Sequence, residues 1–345
     1  MRRLATLALL TACSGAPERN PNAPPDLLVV FLPVDSGATE PPSYFSAKVS
    51  VFTDAHGVHT HPGPSLRAAL TGQWPGTVST TRPNTLHSVL RLYGYRTVGS
   101  IGHDWNGTDF KLDDGLEPIP DAPCLADQIE AFRRLHPKAN DVALAGILAP
   151  SGRGCGADGG RSSGLAALSD FLASDRAAHT VTAVVGLHAP LIYESAIPFW
   201  MAGPGVPTTP TSGLVSAVDL LPTLLPEAKA VVPSDATGTD LHTVFEKGPD
   251  AASVAVFQQD NSGTLVVRTH EHLLIVPDVD GPLPEAPPAG VTTRSVGHSP
   301  PTHDQTRALY AALVQWDRQR RATSAAERMG NGAFREMLRD QGYWH

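Results

Sequence analysis

Residues 26–32 read Asp-Leu-Leu-Val-Val-Phe-Leu, and Pro33 ends the apolar run that they form. Every position after Asp26 is apolar, rather than every second position. This pattern is typical of a strand that is buried on both faces, as in a parallel sheet. The stretch therefore predicts the first central strand of an α/β fold.

Helical and strand-like patterns alternate after this strand. Helices are predicted at residues 64–72 and 84–94, where apolar side chains recur at helical spacing and a glycine closes each segment. Further elements follow in the order strand 96–101, strand 142–148, helix 165–172 and strand 181–185. The alternation predicts a doubly wound, mostly parallel α/β sheet.

The last third of the chain has a different character. An apolar helix is predicted at 215–225, and antiparallel strands are predicted at 252–257, 265–269 and 272–276. A Pro/Gly-rich surface loop at 277–301 and terminal helices at 306–316 and 334–343 complete the pattern. We therefore predict a large α/β core at 26–248, followed by a small antiparallel sheet with helices at 249–345.

The first residues have the pattern of a secretion signal. Met1-Arg2-Arg3 is positively charged, residues 4–10 are apolar, and Leu10-Thr11-Ala12-Cys13 ends the segment. The apolar run is shorter than the ~20 residues that a membrane-spanning helix requires. These features predict a signal peptide at 1–12 and a Pro-, Asn- and Gly-rich tether at 13–25.

The tetrapeptide at the end of the signal resembles the lipobox of bacterial lipoproteins. This resemblance implies that Cys13 is acylated and becomes the mature N-terminus. It also implies a place in the cell envelope, with the outer membrane favoured because Ser14 follows the cysteine where Asp would indicate inner-membrane retention. The alternative is an ordinary signal peptide in which Cys13 is a chance residue.

Composition excludes some functions and leaves one cysteine question open. The formal net charge is −8, and no basic cluster is present, so a nucleic-acid partner is not expected. An apolar content of 41% is adequate for a sizeable core. Cys124 and Cys155 are expected to pair in an oxidising periplasm, although two buried free thiols are the alternative.

Six segments, taken in order, resemble the sulfatase family of the alkaline-phosphatase superfamily. The first is Pro-Ser-Leu-Arg-Ala-Ala-Leu-Thr-Gly-Gln-Trp-Pro at 64–75, which is similar to the family's signature around its nucleophile. The others are residues 85–97, 192–206, 218–225, 238–241 and 338–343. They are distributed along most of the chain, from residue 64 to residue 343, and together they imply an alkaline-phosphatase/sulfatase-like fold.

The same resemblance implies that the catalytic residues have been replaced. Sulfatases use a formylglycine made from a cysteine, beside a Ca²⁺ held by carboxylates and an arginine that orients the nucleophile. In this chain the cysteine position is Pro62 and the arginine position is Leu66. The acidic metal-ligand positions are Pro33, Val34 and Leu187, although the adjacent His188 is retained. No catalytic residue and no cofactor are therefore expected.

A rebuilt site is the alternative. Asp35 follows the first strand, and His56, His59 and His61 precede Pro62. With His188, an aspartate and several histidines would suit Zn²⁺, or another divalent metal such as Ca²⁺. The competing interpretation is that His59 and His61 are loop residues with no ligand.

Other residues at matching positions are interpreted as structural. Asp219 and Glu194 are expected to make cap or turn contacts, and Asp113-Asp114 is expected to form a solvated turn.

Three functional hypotheses follow. The first is a catalytically inactive, lipid-anchored protein that binds an anionic glycan or an envelope protein. The second is a metal-dependent sulfuric or phosphoric ester hydrolase with a rebuilt site. The third is a structural lipoprotein of the bacterial envelope, which faces the periplasm or the cell surface.

Overall fold

The structure is a computed structural model of the chain. It describes residues 23–32, 40–43, 48–77, 84–102, 112–119, 123–138, 140–150, 154–155, 158–187, 196–277, 279, 281–288, 290–296 and 299–340. These ranges do not include the predicted signal peptide, Cys13, most of the tether that follows it, or Glu194. No helix in the described part is long and apolar enough to cross a membrane.

A large sheet of eight strands forms the centre of the described fold. In chain order the strands are β1 Asp26–Leu32, β2 Ser50–His56, β3 Arg96–Ile101, β4 Glu117–Pro118, β5 Leu144–Ala149, β6 Thr180–Gly186, β7 Phe199–Ala202 and β8 Thr211–Ser216. Their spatial order is β4-β3-β5-β1-β6-β7-β2-β8. All neighbouring pairs are parallel except those that β7 makes with β6 and β2.

Seven α-helices occur among the described residues. They are α1 Pro62–Thr71, α2 Leu86–Leu92, α3 Leu125–Arg134, α4 Arg161–Leu172, α5 Leu220–Glu227, α6 Leu241–Lys247 and α7 His303–Asp340. Four short strands form a second, antiparallel sheet in the order β12-β11-β10-β9. These are β9 Val256–Gln259, β10 Leu265–Arg268, β11 His272–Val276 and β12 Thr292–Ser295.

The uniform apolar run of β1 is explained by helices on both faces of the sheet. Leu27, Val29 and Phe31 pack into one core with α1, α2, α5 and α6. The intervening residues of the strand pack into a second core with α3 and α4. Since β1 is buried at every position, no face of it can be polar. The doubly wound, mostly parallel sheet that the sequence predicted is confirmed.

The prediction of one apolar helix at 215–225 is wrong at its start. Val215 and Ser216 end strand β8, where Val215 pairs with Ala55 of β2. A short 3₁₀ turn at Ala217–Asp219 follows, and α5 begins only at Leu220. An apolar stretch of this kind does not reveal whether it contains a strand, a helix or both, because both elements are fully buried here.

The C-terminal region also differs in three details. β9 begins at Val256, whereas the strand was predicted at 252–257. β12 lies within 277–301, which was predicted to be a loop, and it pairs with β11. A single helix, α7, replaces the two predicted at 306–316 and 334–343, and residues 341–345 lie outside the described part.

The small sheet shares a core with the large one. Trp74, which follows α1, packs edge-on against Phe257 of β9, and Phe257 stacks on Trp316 of α7, with ring centroids 5.4 Å apart in both contacts. Val58 and Leu214 from the first part of the chain belong to the same cluster. The antiparallel sheet is therefore attached to the segment between β2 and α1.

Cys124 and Cys155 form a disulfide, with their Cα atoms 5.6 Å apart. Cys124 is the N-cap residue of α3, and Cys155 shortly precedes α4. The bond thus joins the segments that lead into two adjacent helices on one face of the sheet. This is the pairing that the sequence analysis expected.

Candidate functional site

The carboxyl ends of β1, β2 and β6 lie at one edge of the large sheet. β1 and β6 are parallel, with Leu32 opposite Gly186, and the backbone N–H of Leu187 donates to the carbonyl of Leu32 at 3.2 Å. In open α/β sheets this edge is where ligands bind. Pro33, Val34, Asp35 and His188 were predicted to lie there, but they are outside the described residues.

The position that the resemblance assigns to the nucleophile is the first residue of α1. Pro62 occupies this position, directly after the N-cap residue His61. Proline offers neither a nucleophile nor a backbone N–H. Leu66, on the next turn, is fully buried in the core. Leu187, at the end of β6, is likewise fully buried. At these three positions, where the resemblance implies catalytic or metal-binding residues, the structure therefore has side chains that are neither nucleophiles nor metal ligands.

His59 is held as a neutral imidazole. It is only 9% exposed, and burial lowers its pKa to about 4, with the neighbouring His61 contributing. Its Nδ1 accepts a hydrogen bond from the backbone N–H of His61 at 2.9 Å. A neutral imidazole that accepts at Nδ1 carries its proton on Nε2. In this conformation neither ring nitrogen of His59 has a lone pair available for a metal.

The structure places His59 and His61 near each other, and the other two predicted ligands, Asp35 and His188, lie outside the described residues. The ring centroids of His59 and His61 are 6.3 Å apart, and His61 is exposed. Among the described residues, no group of three or more His, Cys, Asp or Glu side chains is placed to hold a metal ion. The predicted contributions of Asp35 and His188 remain predictions.

Strand β9 fixes the segment that carries these histidines. The backbone N–H of Gln259 donates to the carbonyl of Val58 at 3.0 Å, and the side-chain amide of Gln258 donates to Gly57 at 2.5 Å. From the other side, the hydroxyl of Ser65 in α1 donates to the carbonyl of His59 at 3.2 Å. The segment is thus held between the small sheet and α1.

Sequence analysis missed a second polar group next to this segment. Asp54 of β2 binds His56 Nε2 through one carboxylate oxygen at 2.7 Å and His270 Nδ1 through the other at 2.5 Å. His270 Nε2 also accepts from the backbone N–H of Leu214 at 3.2 Å. Arg268 lies nearby, only 5% exposed, and its charge interacts favourably with Asp54.

The shifts in pKa indicate which side chains of this group are charged. Burial opposes ionisation of Asp54, but its hydrogen bonds and charge interactions with His56 and His270 outweigh burial and lower its pKa. Burial lowers the pKa of His56, and the contact with Asp54 offsets this only in part. The arrangement is therefore a carboxylate that orients a buried imidazole, at the carboxyl edge of the sheet.

Only part of this group could have been found from sequence. Asp54 and His56 are two residues apart, so on a strand they point to the same face. Arg268 and His270 are more than 200 residues further along the chain, and no local pattern connects them to β2.

Asp219 has a structural role, as the sequence predicted. It is fully buried and accepts hydrogen bonds from the backbone N–H groups of Ser216 and Thr239, both at 2.7 Å, and from the hydroxyl of Ser253 at 3.4 Å. Burial raises its pKa to about 6, although these donors favour the charged form. Asp113 and Asp114 also match their prediction, as exposed residues of a turn.

Comparison with known proteins tests which fold this architecture represents. No protein-family model and no curated protein matches the chain. Among solved structures it resembles Ps i-CgsB in complex with k-i-k-neocarrahexaose, with a TM-score of 0.64, 14% identity, and coverage of 86% of this chain and 93% of that one.

Two further structures support the same fold. A protein in the alkaline phosphatase superfamily from Vibrio parahaemolyticus matches with a TM-score of 0.63 and 14% identity, over 89% of this chain and 88% of that one. The phosphonate monoester hydrolase SpPMH from Silicibacter pomeroyi matches with a TM-score of 0.57 and 13% identity, over 89% and 95%. The chain therefore has the alkaline-phosphatase/sulfatase fold and is a divergent example of it.

Proposed function

We propose that the protein is a lipid-anchored, sulfatase-like protein of the bacterial cell envelope that binds its ligand without hydrolysing it. The observation that carries this proposal is Pro62 at the start of α1, where the resemblance places the nucleophile. Leu66 and Leu187, both fully buried, give the same site neither an orienting cation nor a metal ligand. The residues of such a site act together, so the effects of losing them do not add, and each contributes little without the others.

The ligand class that we favour is an anionic glycan. Ps i-CgsB, which has the same fold, is in complex with k-i-k-neocarrahexaose, and this supports testing glycans first. His61 is exposed at the N-terminus of α1, where an N–H of its imidazole can donate a hydrogen bond to an anionic group.

The activity test uses the purified full chain. We expect no turnover of aryl sulfates or aryl phosphates above a His188→Ala control, and no bound Ca²⁺ by elemental analysis. Pro62→Cys alone should not restore activity, because no cation would be present to activate the new nucleophile. Ester hydrolysis that is lost with a chelator or in His59→Ala would overturn the proposal.

A binding test examines the positive part of the proposal. Titration calorimetry with sulfated and carboxylated oligosaccharides should detect binding that His61→Ala weakens and that Asp113→Ala, an exposed change in a turn, does not. Absence of binding to every glycan would favour the envelope protein as partner, or the purely structural role.

One observation favours a second candidate, an ester hydrolase with a rebuilt site. Asp54 orients His56 at 2.7 Å, as a carboxylate orients the imidazole of a general base. In that case a metal held by Asp35, His61 and His188 would supply the electrophile, and His59 would join these ligands only after its Nδ1 released the backbone N–H of His61. Activity that disappears in Asp54→Asn as well as with a chelator would favour this candidate.

A further inference from the structure

Four apolar side chains are exposed together at the amino edge of the large sheet, opposite the candidate site. They are Leu92, 84% exposed; Val231, 71%; Val142, 44%; and Tyr93, 38%. We call these four residues the amino-edge patch. Single exposed apolar residues are ordinary on protein surfaces, whereas a contiguous group indicates a contact surface.

Direct contacts hold the patch together. The backbone N–H of Val231 donates to the hydroxyl of Tyr93 at 3.0 Å. The backbone N–H of Val142 donates to the carbonyl of Gly94 at 2.9 Å, and the side chain of Val142 lies so close to Gly94 that a Cβ there would meet it at 2.8 Å. The end of α2 and the residues before β5 and after α5 thus form one surface.

The chain enters the folded domain beside this patch. The hydroxyl of Tyr95 donates to the carbonyl of Pro25 at 2.9 Å, and β1 begins at the next residue, Asp26. A cavity of about 540 Å³, lined in part by Pro24, Pro25 and Lys229, adjoins the same entry point. Ten residue steps separate Cys13 from Ala23, so the two are at most ~35 Å apart when fully extended.

The candidate site lies at the far end of the same strands. A seven-residue strand such as β1 is about 20 Å long, and β1 runs from the entry point towards the carboxyl edge. His56 and the start of α1 are at that carboxyl edge. The chain thus enters the fold at the patch, and a bilayer that holds Cys13 reaches the patch with less of the tether's length than it needs to reach the histidines.

We propose that the amino-edge patch rests on the bilayer surface, so that the carboxyl edge of the sheet faces away from the membrane. This inference depends on the proposed lipid anchor at Cys13. Arg91 and Lys229 are exposed beside Leu92 and Val231. Their charged groups would lie among the lipid headgroups at the rim of the contact. Leu92 and Val231, as the most exposed members, would enter the boundary between headgroups and acyl chains.

The test places a fluorescent label at single positions of the acylated full chain. Leu92→Cys and Val231→Cys are labelled with an environment-sensitive dye, and Val254→Cys is the matched control, since Val254 is 86% exposed. Val254 lies away from the chain entry. The backbone N–H of the preceding residue, Ser253, donates to the carbonyl of Leu214, and Leu214 pairs with Asp54 of β2. The proteins are reconstituted in phosphatidylcholine/phosphatidylglycerol vesicles that contain a lipid-borne quencher.

We expect quenching at positions 92 and 231 that is several-fold stronger than at position 254. Equal quenching at all three positions in a protein shown by mass spectrometry to be acylated would overturn this inference and leave the anchor intact. An unacylated protein would overturn the anchor and, with it, this inference. A blue shift at 92 and 231 that depends on protein concentration and needs no vesicles would assign the patch to a second copy of the chain and overturn the membrane contact.

Discussion

At the residue scale, burial decides which titratable groups carry charge. His59 is kept neutral by its burial, whereas Asp54 remains ionised because two histidines face it. Asp219 is the extreme case, a carboxylate with no exposure and three donors. Its structural role was predicted from its match to a position of the sulfatase-like pattern, but its distant partners Thr239 and Ser253 were not predicted.

Asp219 should make stability depend on pH. Its pKa in the folded state, about 6, lies above the ordinary value of 3.8, so the folded state holds the proton more tightly than the unfolded state. This contribution is fully present below pH 3.8 and is lost as the pH rises through about 6. The loss is on the order of 3 kcal/mol.

The Asp219→Asn variant cannot ionise, so its unfolding free energy should fall less between pH 4 and pH 7 than that of the parent. Urea unfolding at several pH values measures this, with Asp113→Asn in the exposed turn as the control. Equal pH dependence in parent and Asp219→Asn would show that the carboxyl does not titrate in this range.

At the element scale, the sequence predicts the central elements better than the peripheral ones. β1 and β11 were predicted to within one residue, because they are buried throughout and every position after the first is apolar. β3, which reads Arg-Thr-Val-Gly-Ser-Ile, was predicted equally well from its place after the helix that ends at Gly94. β2 and β7 were not predicted. β2 is partly exposed at Val51, Thr53 and Asp54, and it therefore lacks the apolar run that indicated the central strands.

The candidate site was less predictable than the fold, for a related reason. Pro62 and Leu66 could be assigned because they lie in a local motif beside a helix. Arg268 and His270 join the site only through the attachment of the small sheet, and that attachment depends on packing across 200 residues rather than on local pattern.

The disulfide between Cys124 and Cys155 should stabilise the helix pair α3 and α4. The two cysteines are 31 residues apart, and closing a loop of this length contributes about 3–4 kcal/mol on the chain-entropy model. The double variant Cys124→Ser/Cys155→Ser should lose most of this in denaturant unfolding. Thiol labelling of the unreduced, denatured parent should find neither cysteine free, and full labelling of both would contradict the bond.

The contact between α3 and α4 leaves no room for a side chain at Gly164. A Cβ there would lie 2.6–2.8 Å from three atoms of Leu125. Alanine would gain about 1 kcal/mol of helix propensity, but overpacking costs roughly 1–3 kcal/mol, so Gly164→Ala should be net destabilising. Asp170→Ala, on the exposed side of α4, is the control and should not lower the melting temperature; a stabilised Gly164→Ala would show that the helices can separate.

At the scale of the whole molecule, the two edges of the large sheet have different surroundings. The amino edge carries the chain entry and the amino-edge patch, and the carboxyl edge carries the histidine segment and the Asp54 group. The formal net charge of −8 does not favour binding to nucleic acid, and no such partner is proposed.

The anchor itself is tested by a single substitution. Cys13→Ala should yield a soluble or unprocessed protein, whereas the parent should partition into the detergent phase, because acyl chains supply the affinity for lipid. Cell fractionation and phase separation of both proteins measure this. Identical membrane fractionation of variant and parent would contradict acylation at Cys13.

The attachment of β9 to residues 57–59 has a consequence for biosynthesis. Val58 and Gly57 receive their hydrogen bonds from Gln259 and Gln258, which leave the ribosome about 200 residues later. At 5–20 residues per second, this delay is roughly 10–40 s. All eight strands of the large sheet have been made by then, whereas the histidine segment has no partner strand until β9 follows. A chain that is truncated before residue 256 would therefore keep every strand of the large sheet, but its histidines would have no fixed position.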